Sequence, residues 1–145
     1  MRTGPFWDGV EGSAPLPNAA RALGLEILKV DGDSGTIELA FTASDAWTNP
    51  SGNVLGAFVA AMLYDTVGPA LLATLEPDEF QSTLQLGVTF MRPVKPGRLT
   101  AKGRVRHRHG DVAALEATLY DSEFVVATAT ATARIIPLDA APSAV

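Results

Sequence analysis

The fold of this chain is decided by residues 49–72, whose sequence is NPSGNVLGAFVAAMLYDTVGPALL. A turn rich in Pro and Gly leads into a long apolar segment that carries a single charged residue, Asp65. An ionisable group in the middle of a buried helix is costly, so it needs either a firm partner or a chemical task. Asp65 is therefore the first candidate for a functional residue.

We predict a buried central helix that begins near Val54. Its apolar residues surround the helix axis instead of forming one stripe, which is typical of a helix that is covered on all sides. Pro69 removes one backbone donor and is expected to kink or thin the last turns. Four small residues would let a sheet or a partner helix approach closely: Gly56, Ala57, Ala60 and Ala61.

Strand patterns lie on both sides of this helix. The predicted strands are Leu25–Val30, Thr36–Phe41, Thr83–Met91, Leu99–Arg108, Val112–Tyr120 and Phe124–Ile136. The order β-β-α-β-β-β-β predicts an α+β protein in which a curled antiparallel sheet of about six strands wraps around one long helix. Because such a sheet covers only part of an apolar helix and leaves an edge strand open, we expect at least a dimer.

The whole chain, residues 1–145, is assigned to a single domain. Residues 1–16 are predicted to be an irregular arm in which Phe6 and Trp7 are candidate anchors, and residues 137–145 a flexible tail. Between the arm and the first strand we predict a short helix, with Asn18 as its N-cap and Gly24 just past its end.

Alternation along the strands predicts pairing and faces. If Arg108 pairs with Val112 across the hairpin turn, Arg104 lies opposite Glu116 and forms an outer ion pair. The last strand then presents a row of small residues to the helix: Val125, Ala127, Ala129, Ala131 and Ala133.

Composition argues against several classes of protein. A net charge of −5 is unlike a nucleic-acid binder. The absence of cysteine removes disulfides and thiol nucleophiles, and two histidines, His107 and His109, are too few for a His-rich metal site. The segment Val54–Leu75 is long enough to span a bilayer, but Asp65 near its centre opposes insertion. Since no signal segment precedes it, we expect a cytoplasmic protein without a membrane partner.

Three pieces of the sequence are specific when they are taken together. They are the loop Asn49–Gly52 that leads to Gly56, the helical run Ala60–Ala70, and the turn Phe90–Gly97. These pieces resemble hotdog-fold acyl-CoA thioesterases, in the phenylacetate-pathway-type (PaaI-like) branch of the 4-hydroxybenzoyl-CoA thioesterase superfamily. The resemblance covers nearly the whole chain.

The resemblance implies an enzyme that hydrolyses an acyl or aroyl thioester of CoA without a metal or organic cofactor. Its site would lie between two subunits of a homodimer or homotetramer. A helix carboxylate would activate water, and a backbone N–H at the helix start would polarise the thioester carbonyl. By position, Gly56 is the N–H candidate, with close packing as the alternative. Asn49 matches a loop asparagine that orients substrate or water, with a turn former before Pro50 as the alternative. Thr83 matches a hydroxyl residue facing the site.

The sequence departs from the family pattern where the chemistry should be. Leu55-Gly56-Ala57 stands in place of His-Gly-Gly or Gln-Gly-Gly, and Tyr64 occupies the position of the catalytic acid, one residue before Asp65. The side chains of adjacent helical residues point about 100° apart around the helix axis. Asp65 can therefore take over that role only through a local change of register in the helix. Otherwise Tyr64 assists by hydrogen bonding, or the pocket binds an acyl thioester without hydrolysing it. Each residue also has a purely structural alternative. Asp65 would be a buried acid held by a partner subunit, and Tyr64 would be an aromatic core residue.

The remaining candidates concern substrate binding. Leu55, Phe58 and Phe90 are assigned to the acyl group, with core packing as the alternative. We therefore predict an acyl-CoA thioesterase, with a non-hydrolytic acyl-thioester-binding protein as the alternative, and rank a hydratase last because no histidine lies near the helix start. Four basic residues are candidates to hold the CoA phosphates, or else form a solvated basic face: Arg92, Lys95, Arg106 and Arg108.

Overall fold

A computed structural model describes residues 2–143 of the chain. One long helix packs against one antiparallel sheet. The elements are α1 (Pro5–Glu11), α2 (Asn18–Ala22), β1 (Glu26–Asp31), β2 (Thr36–Ala43), α3 (Gly56–Leu72), β3 (Glu79–Phe90), β4 (Gly97–His109), β5 (Val112–Asp121) and β6 (Phe124–Pro137), with 3-10 helices at Asp45–Trp47 and Leu138–Ser143. The six strands pair in the order β1-β2-β4-β5-β6-β3, and the sheet curls around helix α3, which confirms the predicted α+β architecture.

One face of α3 is buried by the chain's own sheet. Met62 and Val67 on this face have no solvent exposure. Gly103 of β4 permits the close approach of the helix, because a Cβ there would lie 2.8 Å from the Thr66 Cγ2. Packing against the sheet therefore fixes the rotation of α3 and determines which of its residues face the other way.

The other face of α3 is not covered by the sheet. Ala57 and Tyr64 on this face are exposed. The sheet of one chain covers only part of the helix, as predicted, and burial of the remaining face by a second copy stays a prediction. The helix begins at Gly56, two residues later than predicted, and continues through Pro69 to Leu72.

The β4–β5 hairpin has the predicted register at its centre but not at its tip. Arg104 lies opposite Glu116, and their side chains form the predicted ion pair. Arg108 pairs with Ala113, one residue beyond the predicted partner, because the ladder shifts by one residue at Arg106. The shift brings His109 opposite Val112, so the turn consists of Gly110 and Asp111 alone.

The inner face of β6 carries the predicted row of alanines. Val126 is buried and Val125 is only half-buried, which reverses the prediction for the start of this strand. The cause is a register shift in the β5–β6 ladder between Leu119 and Tyr120. The buried alanines are Ala127, Ala129, Ala131 and Ala133.

The N-terminal arm, defined here as residues 2–16, contains the helix α1 and is not irregular throughout. Pro5 occupies the first helical position, which suits its fixed φ and missing N–H. Gly12 ends the helix in the left-handed conformation with φ 82°. Pro5 and Gly12 therefore mark the beginning and the end of this helix of seven residues.

The short helix and the C-terminal segment also differ in detail from the predictions. Pro17, not Asn18, is the N-cap of α2, whereas Gly24 follows its end with φ 64° as predicted. The first residue of the predicted tail, Pro137, ends β6, and a 3-10 helix follows whose Leu138 N–H donates to the Asp78 carbonyl at 2.8 Å. The last two residues of that tail, 144 and 145, lie outside the described residues. Within residues 2–143, no helix is long and apolar enough to cross a membrane.

Candidate active site

The start of α3 presents free backbone donors. The first helical hydrogen bonds run from the Phe58 and Val59 N–H groups to the Leu55 carbonyl, at 2.9 and 3.3 Å. Among residues 2–143 the N–H groups of Gly56 and Ala57 have no acceptor. Unsatisfied donors at a helix start, with the positive end of the helix dipole, favour an oxygen that carries negative charge.

Phe90 covers the residue that carries the first of these donors. A Cβ added at Gly56 would lie 3.2 Å from two ring carbons of Phe90. Phe90 as a whole is 57 % exposed, so it lies at the surface beside the helix start. Two further acyl-side candidates are close by in sequence: Leu55 is 45 % exposed, and Phe58 stacks on Trp47 with ring centroids 4.7 Å apart.

Asn49 organises the loop before α3. Its side-chain oxygen accepts hydrogen bonds from the Ser51 N–H, the Ser51 hydroxyl and the Asn53 N–H, at 3.1, 2.7 and 3.1 Å. This pattern is that of a turn former, and it leaves only the amide NH₂ of Asn49 for a ligand. Asn53, which the sequence analysis did not single out, has a buried side-chain oxygen without a hydrogen-bond donor among the described residues.

Asp65 is half-buried, and its Oδ2 atom is buried without a hydrogen-bond partner in the described part of the chain. Burial raises the pKa of Asp65 from the usual 3.8 to about 6, because the charged carboxylate loses solvation. Pro69, four residues further on, has no N–H to donate to the Asp65 carbonyl. Tyr64 is its exposed neighbour, with 45 % of its surface accessible.

Asp65 and Tyr64 line one cleft of about 550 Å³. The walls are mostly apolar and come from α3, the N-terminal arm and the start of β3; they include Phe6, Trp7, Leu16, Leu72 and Phe80. This volume lies within the range of about 300–1,000 Å³ that is usual for small-molecule sites. Asp8, Glu76 and Glu79 also line the cleft, and Asp65 differs from them in having a buried carboxylate oxygen without a partner in the described part of the chain.

Thr83 is connected to this cleft through Gln81. The Thr83 hydroxyl donates to the Gln81 Oε1 at 3.1 Å, and Gln81 lines the cleft. The Gln81 Nε2 lies 3.0 Å from the position that a Cβ at Gly68 would occupy. Gln81 was not among the residues predicted from the sequence, although its spacing of two residues from Thr83 places both side chains on the same face of β3.

The four basic candidates do not form one cluster within the chain. Arg92 and Lys95 follow the end of β3 near the start of α3, and the Arg92 guanidinium lies 4.5 Å from the centre of the Phe124 ring. Arg106 and Arg108 lie at the opposite end of the sheet, at the tip of the β4–β5 hairpin. They make ion pairs with Glu116 at 3.5 Å and with Glu79 at 3.4 Å.

A family model for the N-terminal domain of acyl-CoA thioesterases matches residues 44–134, which include α3, both free donors and Asp65. The chain belongs to the acyl-CoA thioesterase family. Its fold is the hotdog fold of these proteins, as the resemblance predicted. No protein of curated function matches the chain in sequence.

Solved structures show the same relationship. A phenylacetic acid degradation-related protein from Ralstonia eutropha JMP134 is 38 % identical, with a TM-score of 0.86 over 89 % of this chain and 98 % of that one. The PaaI protein of the E. coli phenylacetic acid degradation operon has a TM-score of 0.79 at 19 % identity, over 90 % of this chain and 93 % of its own. A thioesterase family protein from Silicibacter pomeroyi has a TM-score of 0.79 at 21 % identity, over 91 % of this chain and 98 % of its own. The last two likenesses concern the fold alone.

Proposed function

We propose that this thioesterase hydrolyses an acyl-CoA, or another acyl thioester, to the free acid and the thiol. The observation that carries the proposal is the unpartnered Asp65 carboxylate in an apolar cleft. With a pKa of about 6, this carboxylate is mostly ionised at neutral pH and is a better proton acceptor than an ordinary aspartate. These are the properties of a general base for water.

The proposed site requires two copies of the chain. Gly56 and Asp65 are nine residues apart on α3, which places them about 13 Å apart along the helix axis. One thioester group cannot contact both. A second copy placed against the uncovered face of α3 would bring its own Gly56 towards Asp65 of the first. The exposed edge strand β3, with its exposed Leu84 and Phe90, is the proposed seam between the two sheets.

The proposed reaction follows from these two groups. Asp65 takes a proton from a water molecule while the water oxygen attacks the thioester carbonyl carbon. The Gly56 N–H of the other copy donates to the carbonyl oxygen as it becomes negatively charged. The tetrahedral intermediate then collapses with loss of the thiolate, which receives the proton that Asp65 accepted. The proposal requires no metal and no organic cofactor.

The remaining candidates have supporting roles in this proposal. Thr83 and Gln81 orient the water or the acyl group, and the free amide NH₂ of Asn49 does so from the loop. Arg92 and Lys95, near the start of α3 and without an acidic partner among the described residues, are the better candidates for the CoA phosphates. Arg106 and Arg108 already pair with acidic side chains and would have to exchange those partners.

A second candidate function rests on Tyr64, which occupies the family's acid position and carries a phenol hydroxyl where the family has a carboxylate base. In that alternative the protein binds an acyl thioester without hydrolysing it. Release of free thiol from short, medium and aromatic acyl-CoAs distinguishes the two. Turnover on any of them supports hydrolysis. Absence of turnover, with acyl-CoA still raising the melting temperature, supports the binding protein.

A further inference from the structure

The cleft that contains Asp65 is a mainly apolar chamber without a basic side chain. Its walls come from the N-terminal arm, from α3 and the segment after it, from the start of β3 and from apolar side chains of β1 and β2. In the described part of the chain, no Lys, Arg or His is among the residues that line it. A negatively charged group that enters this chamber therefore has no cation to pair with.

Two arginines are connected to the wall of this cleft, and both are engaged elsewhere. Arg2 of the arm pairs with Asp33 at 3.1 Å, in the turn between β1 and β2. Arg108, at the tip of the β4–β5 hairpin, pairs at 3.4 Å with Glu79, which itself lines the cleft. Transfer of either guanidinium into the chamber would break its ion pair. The wall therefore supplies no free cation to a bound ligand.

The charged side chains that do line the cleft are all acidic. They are Asp8 of α1, Asp65 of α3, Glu76 after α3 and Glu79 of β3. Asp8 and Glu76 are exposed, whereas Asp65 and Glu79 are partly buried. Burial alone raises the pKa of Asp65, so the other carboxylates are distributed along the cleft instead of crowding around Asp65. An anionic group in the chamber meets negative charge from several walls.

We propose that this cleft selects acyl groups whose far end is uncharged and rejects acyl groups that end in a carboxylate, such as half-thioesters of dicarboxylic acids. Transfer of a carboxylate from water into an apolar chamber costs free energy unless a cation pairs with it, and the described wall offers none. A neutral end has no charge solvation to lose. The inference rests on the proposed function, because it places the acyl group in the cleft beside Asp65.

Binding of two non-hydrolysable analogues to wild type tests this inference without turnover. Both are thioethers of CoA, with a methylene group between the sulfur and the carbonyl, and both carry the same unbranched chain. They differ only at the far end, which is a carboxamide in one and a carboxylate in the other. Calorimetric titration at about pH 8, where Asp65 is ionised, should find the carboxylate analogue bound about 10-fold or more weakly. Equal affinities, or tighter binding of the carboxylate, overturn the inference.

Two variants of α1 test the part played by the charge of the cleft. Asp8→Lys exchanges a negative for a positive charge on the wall and should narrow the difference between the two analogues about 3-fold. Glu11→Lys is the matched control, because Glu11 is exposed on the same helix and does not line this cleft. It changes the net charge equally and should leave the difference as in wild type. An unchanged difference in Asp8→Lys, or equal narrowing in both variants, overturns the role of the cleft's own charge.

The outcomes separate this inference from hydrolysis itself, which is measured independently by thiol release from octanoyl-CoA. Turnover of octanoyl-CoA together with equal affinities for the two analogues overturns charge selection and leaves hydrolysis supported. Discrimination between the analogues by a protein that releases no thiol from any acyl-CoA supports charge selection and refutes hydrolysis. If Asp8→Lys does not fold, the two analogues on wild type still decide.

Discussion

Gly56 and Asp65 lie on the same helix, but nine residues separate the unpaired N–H at its start from the unpartnered carboxylate in its middle. At 1.5 Å per residue this spacing is about 13 Å, several times the reach of a single thioester group. The two groups serve one reaction only if different copies of the chain supply them. This geometric requirement can be tested directly.

Complementation between inactive variants tests the shared site. Asp65→Asn and Gly56→Pro proteins, each inactive alone, should regain activity when they are unfolded and refolded together. Random pairing makes half of the dimers mixed, and each mixed dimer has one intact site of two, so about a quarter of wild-type activity should return. A mixture as inactive as its components would place both groups of a site on one chain.

Removal of a single N–H tests the role of Gly56. Gly56→Pro deletes this donor at the first helical position, where proline is tolerated, and Leu55 before it already has φ −58° and ψ 137°, which suits a residue preceding proline. We expect kcat to fall about 100-fold, the usual effect of losing one oxyanion donor. Gly56→Ala is the matched control, because it adds the same Cβ against Phe90 but keeps the N–H. Equal losses in the two variants would assign the effect to crowding by the Cβ.

The raised pKa of Asp65 predicts a stability change with a definite sign. Between the ordinary 3.8 and the folded value of about 6, the folded protein binds more protons than the unfolded chain. The stability of the wild type therefore falls as pH rises through this window. Above the window, the folded protein bears the full free-energy cost of burying the charged carboxylate. Asp65→Asn has no charge to bury, so denaturant titrations should find it more stable than wild type by about 2 kcal/mol at about pH 8, once partial exposure is allowed for. At about pH 3, below the unfolded pKa of 3.8, the advantage should vanish. An equal difference at both pH values would mean that the carboxylate has its ordinary pKa.

Tyr64 marks the point where the sequence departs from its family, and its exposure makes it suitable for substitution. If the family geometry persists around the helix, Tyr64→Asp restores a carboxylate at the usual position and should raise kcat for thiol release. Tyr64→Phe removes only the hydroxyl and should have little effect if Asp65 is the base. No gain in Tyr64→Asp would show that the site has diverged beyond this one residue. A large loss in Tyr64→Phe would instead assign a direct role to the hydroxyl.

The fold could be predicted from the sequence because its signals are local and mutually consistent. Turn residues separate the strands, and the alternation in β4 predicted that Arg104 faces Glu116. The errors arose where one residue interrupts a ladder, at Arg106 in β4 and at Val126 in β6, since a bulge leaves no mark in an alternating pattern. The apolar pattern of α3 also gave no indication of which face the sheet leaves open.

The candidate site was less predictable because its groups are brought together by packing. Asp65 stood out as the single charge of an apolar helix, and the structure adds the burial that perturbs its pKa. The contribution of Trp7 to the same cleft depends on where the N-terminal arm packs, which no local pattern predicts. Asn49 resembled a ligand residue, whereas its side-chain oxygen is occupied by its own loop.

The most direct test of the central claim is the rate of free-thiol release from acyl-CoA by wild type and Asp65→Asn, measured side by side from about pH 5 to 8. We predict turnover by wild type that rises through about pH 6 as Asp65 ionises, and a loss of about 100-fold or more in Asp65→Asn, which is the usual contribution of a general base. Undiminished turnover by a folded Asp65→Asn protein would contradict the assignment of Asp65 as the catalytic base.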